Sequence, residues 1–429
     1  MKILILTVES WNSKFGANTF SSIFQNVPNS EYANICIRDE IPDSNFCKRY
    51  FRISEPKVIR SVLLRNTNTG KEVFCNQSID SVDKKDLSFK NELYNKNRHK
   101  RSYIKLMIRE LLWKLGVWKT KELKNFLSEF APDLVVYEMS GYLHFNRLCR
   151  FAVKYTNAKS IGYFWDDQFT YKQSKCTPGF LIFRFLQRKS LKKLTSSTDA
   201  FWAITDKTKR EADNFFGINS TVLTKPIFFK KDETFKSYEA NTPIQMLYTG
   251  NLLIGRWESI CYVSQAIDRI NKDGEKIHLD IYTSSYIPLE EKSKLSPYVC
   301  VHEPIPQVQV IELQKQADVL LFAEAIGSPQ SKIARLSFST KITDYLHSGK
   351  CIFAIGDSDT APMEYLKSEN AALCADCAED VYVGLKTLTD NPDIIPEMAK
   401  KAYDCGKRNH SSDSNDKKVI ETIETLLKS

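Results

Sequence analysis

Two basic residues, each at the start of a separate helical pattern, carry the most pointed chemistry in this sequence. Tyr248-Thr249-Gly250-Asn251 closes an apolar run, and Gly255-Arg256 opens an amphipathic stretch with Ile260, Val263, Ala266, Ile267 and Ile270. Glycine permits close backbone approach, and a helix start offers unpaired N–H groups to an anion. Arg256 at that mouth can grip a diphosphate through two parallel hydrogen bonds; a turn with a surface arginine fits the same residues. The second group is Phe338-Ser339-Thr340-Lys341-Ile342-Thr343-Asp344-Tyr345. Ser339 or Thr340 is a natural N-cap, which places Lys341 in the first turn. A lysine opposes the positive end of the helix dipole, so its position points to an anionic ligand, with a plain surface helix as the alternative. Asp344 falls one turn on, near the face of Thr340 and Lys341, where a carboxylate can accept from ribose hydroxyls.

Such groups need rigid strands and helices behind them, and the chain supplies both. Short apolar runs at 3–8, 134–137, 160–165, 200–205, 246–249, 279–283, 319–322 and 351–355 are bounded by polar turns. They read as strands buried on both faces, the mark of parallel sheets covered by helices. Amphipathic stretches at 207–216, 257–272, 308–316 and 341–348 supply helices between them, giving an α/β class. The pattern stops in a polar stretch after Pro226 and restarts at Pro243. The expected division is therefore a domain over 1–230 and a second over 242–405. Residues 44–100, rich in Asn, Lys and Ser, show the poorest periodicity, and no internal repeat is visible.

Composition sets the limits. A chain of 429 residues, 42% hydrophobic and 26% charged, can bury two or three cores and is not a disordered protein. Eleven scattered cysteines do not form a secreted disulfide framework, so a reducing, cytoplasmic setting is expected. The close pair Cys374-Ala-Asp-Cys377 lacks the partners of a zinc or redox motif, and ordinary structural cysteines are expected. The apolar N-terminus lacks a cleavage pattern and reads as a first strand. No run approaches the length of a membrane span. Walker, G-x-S-x-G and H-E-x-x-H patterns are missing, which removes the readings as an NTPase, serine hydrolase or zinc protease. Asp357-Ser-Asp359 forms a D-x-D, expected to be a solvated turn or a loop facing the ligand.

The second half resembles the retaining GT-B glycosyltransferases of the group 1, or family 4, type. Ser339-Thr340-Lys341-Ile-Thr-Asp344-Tyr345-Leu346-His-Ser-Gly349-Lys350-Cys-Ile352-Phe-Ala354 follows that family's P-x-K-x-x-E-Y-L-A-x-G-K-P-V-I-A line. The resemblance implies two Rossmann-like domains facing a cleft, with a nucleotide-sugar on the C-terminal one. It implies that 406–429 ends in a helix packed back on the N-terminal domain. Arg256 and Lys341 would neutralise the diphosphate leaving group without a metal or other cofactor. Gly250, Asn251, Ser339 and Thr340 would line the phosphate site, and Asp344 would hold the ribose. The loops bearing Thr283 and Glu303 would hold the base. The family's first acid would stand at Leu336, so Glu324 is the candidate to take over part of that role. Of the family's paired glycines after the first strand only Gly16-Ala17 remains; an ordinary turn fits those residues equally. The acceptor side would lie near Asp166 and Asp167, which can orient an acceptor hydroxyl or take its proton, or cap the next segment. Glu138 and His144 have a weaker claim.

Positive charge is concentrated. Residues 84–124 hold thirteen Lys and Arg against four Asp and Glu, an excess equal to the +9 of the whole chain. The stretch 101–118 mixes that charge with apolar and aromatic residues at helical spacing. It could rest on anionic lipid with Trp113 and Trp118 in the interface, and 180–193 repeats the chemistry. A core helix with a solvated basic face is the alternative, and no nucleic-acid motif accompanies the charge. The expectation is thus a cytoplasmic glycosyltransferase, or one peripheral on the inner face of the membrane. It would serve a glycan or lipid-linked acceptor in bacterial surface polysaccharide assembly. A non-catalytic GT-B-like chain, or a basic membrane-surface binding protein, is the alternative.

Overall fold

In the computed structural model, residues 1–9, 11, 19–38, 42–64, 68–75, 102–173 and 176–428 are described. The chain forms two compact units. Unit 1 comprises Met1–Tyr171, Lys175–Leu223 and Asp416–Ser429; unit 2 comprises Lys172–Ser174 and Thr224–Asn415.

Unit 1 is built on a sheet of β1 (Lys2–Thr7), β2 (Glu31–Cys36), β3 (Arg49–Ile53), β4 (Gly70–Val73), β5 (Leu134–Glu138), β6 (Lys159–Phe164), β7 (Ala200–Ala203) and β8 (Ser220–Val222). Its order is β4-β3-β2-β1-β5-β6-β7-β8, parallel except for β4 against β3. The central strands are apolar throughout, with Ile3–Leu6 and Leu134–Tyr137 inaccessible to solvent, as a sheet covered on both faces requires. β3 and β4 escape periodicity because they are short and charged at the sheet's end. Arg49 there bonds Glu72 at 2.6 and 2.8 Å and Glu129 at 2.9 Å. From Asp416 on the chain belongs to this unit: Trp202 Nε1 donates to Thr422 Oγ1, and Lys418 Nζ to the Val222 carbonyl.

Unit 2 carries β9 (Ile244–Thr249), β10 (Ile277–Tyr282), β11 (Val299–His302), β12 (Val319–Ala323), β13 (Cys351–Ile355) and β14 (Leu373–Ala375). All are parallel, in the order β11-β10-β9-β12-β13-β14. Counted within the unit this is 3-2-1-4-5-6, the dinucleotide-binding order, whose switch point lies between β9 and β12. Helices Arg256–Ile270 and Ala378–Asp390 cover one face through Ile260, Val263, Ile267, Val381 and Leu385.

The expected boundaries at 230 and 242 move. The stretch 224–241 has no regular period because side chains fasten it individually to unit 2. Tyr238 Oη donates to the Asp318 carbonyl, Asn241 bonds the Asp318 carboxylate, and Phe229 packs on His347 and Tyr403. The end of unit 2 likewise moves from 405 to Asn415, since helix Ile394–His410 continues its core and His410 bonds Thr224 and Tyr365.

Candidate functional site: a cationic cradle at the switch point of unit 2

β9 ends at Thr249 and the chain turns at Gly250, whose φ of 143° lies where L side chains are strained. A Cβ at this position would overlap Lys341 Nζ, so the glycine makes room for the lysine. Gly255, at φ 78°, is the N-cap of helix Arg256–Ile270; a Cβ there would stand 2.6 Å from Ala325 Cβ. The two glycines bring the turn and the first helical residue against β12 and its following loop.

Arg256 is held from two sides. Its Nη1 donates to Asn251 Oδ1 and its Nη2 to Glu324 Oε1, each at 2.8 Å. Burial opposes its charge, but Glu324 more than compensates, so its pKa rises. Glu324 follows β12 directly and is itself buried. Ser259 Oγ donates to the Glu324 carbonyl at 2.6 Å, fixing the same backbone to the helix.

Lys341 completes the group. Ser339 is the N-cap of helix Thr340–Ser348 and accepts from the Lys341 N–H at 3.4 Å; exposed Thr340 is the first helical residue. The Lys341 ammonium lies 5.1 Å from the Tyr248 ring centroid. Burial and then the neighbouring Arg256 charge push its pKa down to about 8, against the pull of Glu324 and Asp344. Two cations therefore share one partly desolvated place, with buried Glu324 bonded to Arg256 and acting on Lys341 as well, an arrangement that favours an incoming anion.

Asp344 has a partner the sequence did not suggest. Lys225 Nζ bonds its Oδ1 at 2.8 Å. Lys225 stands 119 residues upstream in Thr224-Lys225-Pro226, where no local pattern distinguishes it. Thr283 joins the cradle indirectly: it accepts from the Ser285 N–H, and Ser285 Oγ accepts from the Leu252 N–H. Glu303 is exposed beyond β11. Gly16 and Ala17 lie outside the described residues. Asp357, in the D-x-D, accepts from the Gly327 N–H at 2.7 Å and from Ser331 Oγ, so it braces the loop after β12. Leu336, where the resemblance places an acid, is wholly buried.

In unit 1 the expected acidic pair divides. Asp167 accepts from the N–H groups of Phe169 and Thr170 and from Thr170 Oγ1, and buried Arg184 lies 3.9 Å away. Its carboxylate fastens its own turn, which is the capping alternative. Asp166 instead belongs to a carboxylate group at the ends of β1, β5 and β6. Burial, then Asp166, then Glu9 raise the Glu138 pKa to about 8. This is again a switch point, since β1 and β5 are neighbours from opposite halves of the sheet. His144 is structural: its Nδ1 meets Glu110 at 2.8 Å and its ring stacks on Trp113 at 4.3 Å.

The helix over Tyr103–Leu115 inverts one expectation. Trp113 and Trp118 are buried, not interfacial, while Ile104, Ile108, Leu111 and Leu115 are each more than half exposed. Helix Pro178–Thr195, joined to it through Tyr103 on Phe180 and Phe183, exposes Leu181, Ile182 and Phe185. Residues 84–101 of the basic stretch lie outside the described residues. Among the described residues no helix is long and apolar enough to cross a membrane.

Comparison with solved structures bears on the whole architecture. Sucrose-phosphate synthase from Thermosynechococcus elongatus superposes with a TM-score of 0.60 at 10% identity, over 99% of this chain and 98% of that one. Anabaena HepE in complex with UDP-glucose gives 0.56 at 10%, over 99% and 100%. The fold is GT-B. The lipopolysaccharide outer core galactosyltransferase WaaB is similar at 0.54 and 15%, over 98% and 99%. No protein-family model matches the chain, and no curated protein matches it in sequence. The GT-B likeness therefore rests on architecture, to which both switch points belong.

Proposed function

We propose that this chain is a glycosyltransferase that takes its sugar from a nucleoside-diphosphate sugar bound by unit 2. The observation that carries the reading is the convergence of Lys341 and Arg256 around Gly250 and Glu324 at the sheet's switch point. In the transfer, the bond between the anomeric carbon and the diphosphate oxygen breaks, an acceptor oxygen bonds that carbon, and the hydroxyl proton departs. Negative charge grows on the leaving diphosphate, where two preset cations stabilise it most in a low-dielectric site. Glu324 orients Arg256, and Asp344, bonded to Lys225, is the candidate to hold the ribose. The loop from Thr283 to Ser285 and the exposed loop at Glu303 are the candidates for the base. Uracil is the first base to test, because HepE was solved with UDP-glucose. No step in this reading calls for a metal at the cradle.

On the acceptor side, Glu138 and Asp166 are the groups able to orient a hydroxyl or take its proton. Retention of anomeric configuration is carried by the family resemblance alone, and the anomer of the product, read by NMR, tests it. The exposed apolar stripe of Ile104, Ile108, Leu111 and Leu115, with Lys105 and Lys114 exposed beside it, suits an anionic membrane surface. A lipid-linked acceptor on a bacterial surface-polysaccharide route, at the inner face of the membrane, fits such a surface, and WaaB is a lipopolysaccharide enzyme of this fold.

The deciding experiment is a thermal-shift screen of nucleotide-sugars followed by donor turnover. Stabilisation by one donor and sugar transfer, both lost in Lys341→Ala and Arg256→Ala proteins that remain folded, is the expected result. Buried Leu336 in place of the family's first acid favours a second reading, a chain that binds the nucleotide without turnover. Stabilisation with no transfer to any acceptor would select it. No stabilisation by any nucleotide would refute both.

A further inference from the structure

Away from the cradle, the β10–β11 edge gathers side chains of a different kind. His278 and Asp280 are two positions apart on β10, and Cys300 and His302 are two apart on β11. The strand period of two puts each pair on one face, and the parallel register sets Asp280 beside Cys300 and Tyr282 beside His302. Ile277, Leu279 and Ile281 turn the other way, into the core. Two imidazoles, a thiol and a carboxylate therefore share one half-exposed patch. The ligand atoms of His278, Asp280 and Cys300 all lie within 4.8 Å of one another. Asp280 Oδ1 is 3.6 Å from His278 Nε2 and 2.5 Å from His302 Nε2. Behind them Glu275 holds His278 Nδ1 at 2.9 Å, and Tyr282 stacks on the His302 ring at 4.6 Å.

We infer that His278, Asp280, Cys300 and His302 form a binding site for a borderline-soft divalent cation of the zinc class. A set of two nitrogens, one sulfur and one oxygen matches zinc, whereas calcium and magnesium take oxygen. Ligand atoms around a tetrahedral zinc stand roughly 3.5 Å apart, so the His278–Asp280 separation already fits. His302 reaches the set only through Asp280 and stands outside the group of ligand atoms mutually within 4.8 Å, so its ring must leave Asp280 Oδ1 by about 1 Å and swing toward the others, a side-chain movement on a backbone that the strand ladder fixes. Binding takes the Cys300 thiol to a thiolate and releases its proton to solvent. Glu275 supplies the carboxylate behind a ligating imidazole that sets its tautomer. The ion would clip β11, the last strand of its sheet, to β10. It is a structural clip, independent of whether the cradle binds a nucleotide-sugar.

The test uses tag-free, metal-stripped full-length protein titrated with Zn²⁺ against a chromophoric chelator, and with Co²⁺ by absorption. One Zn²⁺ per chain, a thiolate-to-cobalt charge-transfer band and a raised thermal midpoint are expected. Cys300→Ser should remove the band, weaken Zn²⁺ at least tenfold and cancel the thermal effect, while Cys377→Ser, an exposed thiol beside Asp376 and Asp380, should change none of these. His302→Ala, at a half-exposed ring, repeats the measurement with the thiol intact and should also weaken Zn²⁺. Zn²⁺ affinity or a cobalt band that survives Cys300→Ser, or wild-type affinity no tighter than that of the two variants, overturns the inference.

Discussion

Replacing Lys341 by methionine separates the cost of the cradle to the folded protein from its use. The ammonium is mostly buried and its pKa is depressed from 10.5 to about 8, by burial first and by Arg256 second. The charged form is thus disfavoured in the fold by about 3 kcal/mol, at about 1.4 kcal/mol per tenfold. Methionine keeps most of the stem's packing and removes the charge. The ligand-free variant should therefore be more stable than wild type near pH 7, by some part of that figure and by a few degrees in midpoint. The sign with pH follows from linkage. Between about pH 8 and 10.5 the unfolded chain holds a proton that the folded one has lost, so wild-type stability should rise with pH across that window. The variant should lack this rise. A bound diphosphate supplies the missing counter-charge, so UDP should stabilise wild type and fail to stabilise the variant. Urea titrations at pH 7, 8.5 and 10, with and without UDP, read all three effects. A variant less stable than wild type at pH 7, or one that UDP still stabilises in full, would refute the reasoning.

Arg256→Ala should behave oppositely without ligand. It leaves Glu324 buried without its ion partner and should cost about 3 kcal/mol in denaturant unfolding, while losing UDP stabilisation as Lys341→Met does. Arg256→Lys should restore part of the stability but not two-sided bonding to Asn251 and Glu324, leaving donor KM raised. Glu138 ionises ordinarily at 4.5 and in the fold near 8, so the folded chain holds the extra proton and stability should fall as pH rises through that window. Glu138→Gln should flatten the slope, which is at most about 1.4 kcal/mol per pH unit; equal slopes in urea unfolding at pH 5 and 8 would contradict the assignment. The double variant Ile108→Glu, Leu111→Glu should keep its thermal midpoint and release the protein from phosphatidylglycerol vesicles in a flotation assay, since both side chains are more than half exposed. Retention on the vesicles would remove the membrane surface from the proposal.

Some of the site was legible because its signals are local. The Ser339 cap, the helix that begins at Thr340 and the glycine turn at 250 depend on residues within a few positions of each other, and a linear reading reaches that far. What these elements meet is another matter. The bond between Arg256 and Glu324 spans 68 residues, and the one between Lys225 and Asp344 spans 119. Asp166 and Asp167 are adjacent in sequence, yet one faces Glu138 and the other closes its own turn. The helix Tyr103–Leu115 has apolar residues on more than one face, so periodicity alone could not decide that Trp113 turns inward and Ile108 outward.

By itself the sequence determined the α/β class, most of the central strands and the two helix starts with their cations, since burial patterns and caps are written over a single turn or strand. Tertiary structure alone decided the strand order 3-2-1-4-5-6 in unit 2, which lays the ends of β9 and β12 side by side. That adjacency makes Lys341 and Arg256 neighbours of one carboxylate, and parallel pairing likewise collects His278, Asp280, Cys300 and His302 on one edge. Strand order is set by how whole helix–sheet layers bury their faces, a free energy summed over the unit and carried by no short stretch of chain.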